Sequence, residues 1–355
     1  MSQDFNGTKP VDERQQFDVA HLQQYLQTKI PSFRGPLTVE QFKGGQSNPT
    51  FKLITPGKNY VLRRKPAGKL LASAHAVDRE YTVITALHGT NVPVAKTHVL
   101  CEDDAVIGTA FYVMDCVDGR VMWDPSLPGM TPEQRGAIFT EMNRVIAALH
   151  QVDYKAVGLA EYGKPGNYFE RQLGRWTKQY RASETKRIEA FENLMQWLPQ
   201  NIPPGDETTI VHGDYRLDNM IFHPTEPRVL AVLDWELSTL GHPLADFSYH
   251  CMTWNIPKGV FRGLAGAKLA ELGIPSEAEH VANYCKRTGR APIDPSHWDF
   301  YMAYNLFRLG AILQGIAGRV KDGTAASAQA KAMGDAAGPL AELAWKQVEK
   351  ILARG

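Results

Sequence analysis

The stretch Ile210-Val211-His212-Gly213-Asp214-Tyr215-Arg216-Leu217-Asp218-Asn219-Met220-Ile221-Phe222, followed by Val229-Leu230-Ala231-Val232-Leu233-Asp234-Trp235, constrains this chain more than any other. An apolar run of β type delivers His-Gly-Asp into a short loop. Met220 to Phe222 and Val229 to Leu233 then read as a hairpin, with His223-Pro224-Thr225-Glu226-Pro227-Arg228 as its turn. Such a hairpin returns Asp234 toward Asp214 and Asn219. Asp, Asn and Gly are ordinary turn residues, so His-Gly-Asp alone carries no more than a structural reading.

The spacing carries more. Protein kinases place an Asn five residues after the Asp of their catalytic loop and an Asp-initiated motif beyond a hairpin, and this sequence has the same order. Moving a γ-phosphoryl group needs a carboxylate to orient the acceptor hydroxyl and oxygen ligands to hold Mg²⁺ on the phosphates. Asp214 is the candidate base, and Asn219 and Asp234 are the candidate metal ligands. Arg216, two residues after Asp214, has two readings: a cation that neutralises the transferring phosphoryl, or a loop arginine paired with Asp218.

Upstream, Leu37 to Phe42 and Thr50 to Ile54 read as strands around Gly44-Gly45-Gln46-Ser47-Asn48-Pro49. Gly44, Gly45, Gln46 and Ser47 can cover nucleotide phosphates with backbone N–H groups, although a plain hairpin turn uses the same residues. The stretch matches neither G-x-G-x-x-G nor the P-loop, which argues against a Rossmann or P-loop enzyme. Tyr60-Val61-Leu62-Arg63 is the next strand, and Arg63 stands where kinases carry the lysine that touches phosphates and pairs with a helix Glu. Its natural partner is Glu80, beside the apolar stripe of a helix over Ala76 to Leu87. The plainer alternatives are a basic strand end and a solvated carboxylate. Ala105 to Thr109 and Ala110 to Met114 read as a further pair of strands.

At 355 residues the chain suits two packed lobes better than one core. A net charge of +1, from 39 basic and 38 acidic residues, points to a small-molecule partner and away from nucleic acid. Cys101, Cys116, Cys251 and Cys285 are too scattered for a zinc site or a disulfide framework. Met1 to Ile30 is polar and no apolar run approaches about 18 residues, so the expectation is a cytoplasmic protein with no membrane contact. Thr131-Pro132-Glu133-Gln134 opens a long helix ending at His150, which reads as structural. Tyr168 to Trp197 is charged and aromatic, with a basic bias that suits an acidic ligand or simply a solvated face.

The His212-Gly213-Asp214 to Asn219 loop and Asp234-Trp235-Glu236 resemble the aminoglycoside phosphotransferase and choline kinase superfamily, in which Gly takes the place of the kinase Arg. Gly45-Gln46-Ser47-Asn48-Pro49-Thr50 and Tyr60-Val61-Leu62-Arg63 are most similar to the kinase-like domain fused in animals to long-chain acyl-CoA dehydrogenases. The resemblance runs from about Phe33 to the last helix. It implies an α+β, protein-kinase-like two-lobe fold: a β-rich N-terminal lobe with a leading helix over 1–115, and a larger, mostly helical lobe over 116–355. It also implies ATP and Mg²⁺ as cofactors, with adenine meeting the main chain at Asp115 and Val117 while Met114 packs on the base or fills the core. Asp246 resembles the family Asp that braces the catalytic loop. The implied acceptor is a hydroxylated small molecule, a hydroxyacyl-CoA or hydroxy acid, with a functional link to acyl-CoA dehydrogenases. The alternatives are a non-catalytic pseudokinase and a kinase for another alcohol, such as an amino alcohol or an aminoglycoside.

Overall fold

The computed structural model describes residues 7–44, 48–66, 76–258, 260–325 and 328–355. They form two compact units. The first comprises Met1–Asp124, Tyr154–Tyr162 and Arg216–Ser238; the second comprises Pro125–Asp153, Gly163–Tyr215 and Thr239–Gly355. A single cut near residue 115 therefore does not describe the division. The chain re-enters the first unit twice, and the second re-entry begins at Arg216, inside the loop on which the sequence reading centres.

In the first unit, strands β1 (Thr8–Lys9), β2 (Thr38–Phe42), β3 (Thr50–Ile54), β4 (Tyr60–Arg64), β5 (Thr97–Cys101) and β6 (Phe111–Asp115) form one sheet in the order β1-β2-β3-β4-β6-β5. Every pairing is antiparallel. Helix α1 (Val19–Lys29) is capped by the Asp18 side chain and buries Leu22 and Leu26 in a cluster with Phe51, Leu53, Leu62, Phe111 and Val113. Helix α2 (Val77–Leu87) buries Val77, Ile84 and Leu87 of the stripe expected over Val77, Tyr81, Ile84 and Leu87, with Tyr81 half-buried and Val83 buried as well.

One expected strand is absent. Asp104–Ile107 is a short helix, α3, because the Asp103 side chain accepts the Ala105 N–H and Gly108, at φ +85°, ends the turn in the left-handed region. The strand paired with Phe111–Asp115 lies earlier, at Thr97–Cys101. Strands β8 (Met220–Phe222) and β9 (Val229–Val232) form the expected hairpin, with Met220 opposite Val232.

The second unit is largely helical. Helix α4 (Pro132–His150) starts with the capping box legible in the sequence: Thr131 Oγ1 accepts the Gln134 N–H, and Gln134 Oε1 accepts the Thr131 N–H. Next come α5 (Tyr168–Ser183), α6 (Glu189–Trp197), β7 (Thr209–Val211), β10 (Thr239–Gly241), α7 (Pro243–Asn255), α8 (Leu269–Leu272), α9 (Glu277–Thr288), α10 (Pro295–Lys321), α11 (Ala328–Asp335) and α12 (Ala337–Leu352). Strands β7 and β10 pair antiparallel. The 27-residue α10 is buried over most of its first five turns and packs against α5, α7 and α12. Among the described residues no helix is long and apolar enough to cross a membrane.

Candidate active site

The residues singled out in the sequence fall into two groups, one in each unit. In the first unit Arg63 sits on β4, opposite Thr50 on β3 and Tyr112 on β6. Its Nε lies 2.9 Å from Glu80 Oε2 on α2 and its Nη2 lies 2.6 Å from Asp234 Oδ1. Glu236 Oε2 is 3.7 Å from the same Nη2. The ion pair expected between Arg63 and Glu80 is thus present, and two further carboxylates, Asp234 and Glu236, share the guanidinium. Glu80 is 1% exposed, and a carboxylate that deep needs several donors to remain tolerable. Asn48 Nδ2 supplies one at 2.7 Å and the Tyr112 hydroxyl another at 3.2 Å. Burial nevertheless pushes the Glu80 carboxyl above its usual range, with Arg63 pulling the other way. Burial also disfavours charge on Arg63, but the Glu80 and Asp234 carboxylates outweigh it and hold the guanidinium pKa above its ordinary value.

Asn219 closes a single 3₁₀ turn, Leu217–Asn219, immediately before β8. Its carbonyl accepts the Leu233 N–H at 2.8 Å, so the hairpin fixes Asp234 one residue beyond that bond. Asp234 itself has φ +64°, a left-handed conformation that Asp tolerates better than most residues and that recurs at functional sites. The chemistry of this pair fits a hard divalent cation: one amide oxygen and one carboxylate, as in kinase Mg²⁺ sites, where phosphate oxygens complete the shell. Among the described residues no cluster of three or more His, Cys, Asp or Glu could hold a metal without such help. Arg216 Nη2 lies 3.7 Å from Asp218 Oδ2, the geometry of the loop-pairing reading.

The other nucleotide-contact candidates are placed unevenly. Gly44 is half-buried after β2, while Gly45, Gln46 and Ser47 lie outside the described residues. Met114 is buried on β6, opposite Val61 and Thr97. Burial works against charge on Asp115, but its ion pair with Lys58 and its hydrogen bond with His98 hold the carboxyl below the usual carboxylate range. Its N–H bonds to Lys96 O at 2.8 Å. Val117 is half-buried in the extended segment that follows.

In the second unit Asp246, on the first turn of α7, accepts the N–H of His212 at 2.7 Å and that of Gly213 at 2.8 Å, one on each carboxylate oxygen. His150 Nε2 adds a contact at 3.2 Å and is held in turn by the Tyr284 hydroxyl at 2.7 Å. Burial raises the cost of charge on Asp246, yet the hydrogen bond and charge of His150, with His212, bring its pKa below the usual value. This is the bracing arrangement expected of Asp246 and the structural role expected of His150. Gly213 has φ +84°, so the backbone just after the two braced amides turns in a way few side-chain-bearing residues accept. The turn presents Asp214, whose Oδ1 accepts the Tyr249 hydroxyl at 2.6 Å. The Gly213 carbonyl accepts Arg308 Nη2 at 2.6 Å. Arg308 is 5% exposed on α10, stacked 4.8 Å from the Tyr249 ring centre and 5.5 Å from that of Trp176.

Four of these residues were not read from the sequence. Asn48 and Tyr112 hold Glu80, and Tyr249 and Arg308 hold the Asp214 turn. Arg308 left one trace: a lone cation inside the apolar run Leu306-Phe307-Arg308-Leu309 demands a buried acceptor. Asn48 sat in a turn-rich stretch where Asn has too many ordinary uses to stand out.

Comparison with known proteins agrees with this arrangement. Residues 38–281 match the model of the phosphotransferase enzyme family. Acyl-CoA dehydrogenase family member 10 from Mus musculus is 47% identical over 342 residues, covering 96% of this chain and 32% of the mouse protein, so the chain spans about a third of that relative's length. The crystal structure of a provisionally assigned aminoglycoside phosphotransferase from Ralstonia eutropha is 60% identical, with a TM-score of 0.88 over 94% of this chain and 99% of that one. A macrolide 2'-phosphotransferase from Brachybacterium faecium shares the fold at 17% identity, with a TM-score of 0.55 over 90% and 97% of the two chains. With the motif order, the α+β kinase-like fold and these matches in agreement, the chain belongs to the phosphotransferase enzyme family.

Proposed function

We propose that this phosphotransferase moves the γ-phosphoryl of ATP to a hydroxyl on an acyl group carried by coenzyme A. The carrying observation is the Asp214 turn: two amides on Asp246, a carbonyl on Arg308 and a hydroxyl on one carboxylate oxygen fix the base that serves the acceptor. In the reaction the acceptor oxygen forms a bond to the γ-phosphorus, the bond to the β,γ-bridging oxygen breaks, ADP leaves, and the hydroxyl proton passes to Asp214. Asp214 orients that hydroxyl before it accepts the proton, and Arg63, held by Glu80, meets the nucleotide phosphates. Asn219 and Asp234 are the residues that would hold Mg²⁺, which when bound neutralises charge on the phosphates. Arg216 adds a positive charge to the loop, 3.7 Å from Asp218.

For the acceptor, support comes from the mouse relative, whose name is that of an acyl-CoA dehydrogenase family member, and from the basic bias of α5. A polycationic antibiotic calls for an acidic pocket, and α5 offers Arg171, Arg175, Lys178 and Arg181 against Glu170. The test is a screen of hydroxyacyl-CoAs, free hydroxy acids and aminoglycosides, with ATP and Mg²⁺ and mass-spectrometric detection of product. Phosphorylated hydroxyacyl-CoA that disappears in Asp214→Asn is the expected result. ATP consumption at background with every hydroxyacyl-CoA, alongside turnover of another alcohol, would overturn the acceptor assignment.

A further inference from the structure

A cavity of about 910 Å³ opens at the start of α5, wholly within the second unit. Its charged lining is Lys164, Arg171, Arg175 and Lys178, against Glu170 and Asp206. Among the described residues Lys164, Arg175 and Lys178 have no ion-pair partner, which leaves the cavity with a surplus of positive charge open to solvent. One of its carboxylates is already committed: Asp206 Oδ2 accepts the Asn167 N–H at 3.1 Å. Arg171 is fixed in place by donating Nη2 to Lys164 O at 2.6 Å, while its Nη1 is shut off from water with no hydrogen-bond partner among the described residues. A guanidinium nitrogen placed that way is a donor set for an incoming anion, since leaving it unmatched costs the desolvation of a charged group.

The cavity is also tied to the Asp214 turn. Trp176, next to Arg175 on α5, lies against Arg308, and Arg308 holds the Gly213 carbonyl. The volume is that of a site for a drug-sized molecule rather than for one carboxylate, and arginine forks match phosphate oxygens two at a time. We propose that this cavity binds the phosphorylated adenosine end of a coenzyme A thioester, the acceptor whose acyl hydroxyl is presented to Asp214. The inference rests on the acceptor reading above. It adds the place where the acceptor's phosphates are recognised, through Arg171, Arg175, Lys178 and Lys164.

The probes are coenzyme A, adenosine 3',5'-bisphosphate and pantetheine, titrated calorimetrically into the full chain and into Arg175→Glu/Lys178→Glu. Both residues are exposed, so the charge reversal leaves the core untouched. Wild type should bind coenzyme A and the bisphosphate, pantetheine should bind weakly, and the double variant should lose about ten- to a hundredfold in affinity for the first two. Lys178→Arg should retain binding. In turnover the double variant should raise KM for hydroxyacyl-CoA, with kcat and the KM for ATP little changed. Coenzyme A that does not bind wild type, or binds the double variant equally well, overturns the inference, as does a KM change confined to ATP. Failure of the acceptor reading looks different: coenzyme A then binds in a charge-dependent way but no hydroxyacyl-CoA is phosphorylated.

Discussion

Replacing Asp246 with Asn tests the claim that one buried carboxylate sets the shape of the Asp214 turn. In wild type each oxygen accepts one backbone N–H, at 2.7 and 2.8 Å, on a residue that is 3% exposed. Asn keeps one acceptor and turns the other into an NH₂ group facing an N–H. Hydrogen bonds to a charged group are worth roughly 1.5–3 kcal/mol each, and an unmatched buried donor costs a further ~1–3 kcal/mol. The variant should therefore lose about 3 kcal/mol at neutral pH, which moves a urea midpoint down by about 1 M for an m-value near 3 kcal/mol/M. Because the carboxyl pKa is lowered by folding, its contribution is fully present above the unfolded value and is lost as pH falls through the lower folded value. The gap between wild type and variant should accordingly be constant from pH 7 to about 5 and narrow toward pH 3. Turnover should fall by about a hundredfold or more, since a shift near 1 Å at Asp214 is enough for that loss. An Asp246→Asn protein with a wild-type urea midpoint at pH 7 and wild-type turnover would refute the bracing argument.

Other outcomes follow from the same contacts. Tyr249→Phe removes the hydroxyl on Asp214 Oδ1 without changing the ring against Arg308, so kcat should fall by about tenfold at nearly constant KM in steady-state assays. Arg63→Met strands the buried Glu80 and the Asp234 carboxylate and should cost about 3–5 kcal/mol by thermal or urea unfolding; a variant of wild-type stability would show that the pair contributes nothing. His250 and His242 are both pushed down to about 4 by burial. Between pH 6.5 and 4 the unfolded chain binds the protons that the folded chain refuses, so stability should decline across that window, and His250→Leu should flatten the decline in urea titrations at stepped pH.

The sequence was most informative where local chemistry decides the outcome. The strands over Thr50–Ile54 and Tyr60–Arg63, the capping box at Thr131, and the hairpin carrying Asp234 are all set by neighbours within a few residues, and the structure has strands, cap and hairpin there, the second strand running one residue further to Arg64. Ala105 to Thr109 carries strand-forming Val106 and Ile107, but the Asp103 cap and the Gly108 stop make Asp104–Ile107 the helix α3. Long-range partners were out of reach. Nothing near Tyr249 points to a residue 35 positions earlier, and nothing near Asn48 points 32 positions ahead to Glu80. Asp246 was legible only through the family resemblance, and Glu80 only because the motif order had already said what Arg63 should face.

A lysine at position 63 would offer one compact charge on a flexible stem; arginine instead lays a rigid fork across two acids at once. With the roles proposed for Arg63 and Asp234, the consequence would be a reciprocity. A phosphate that drew the guanidinium toward itself would release Asp234 for a divalent ion, and an ion that claimed Asp234 would free the guanidinium for phosphate. Each ligand would then lower the cost of admitting the other, and by thermodynamic necessity the help would be equal in both directions.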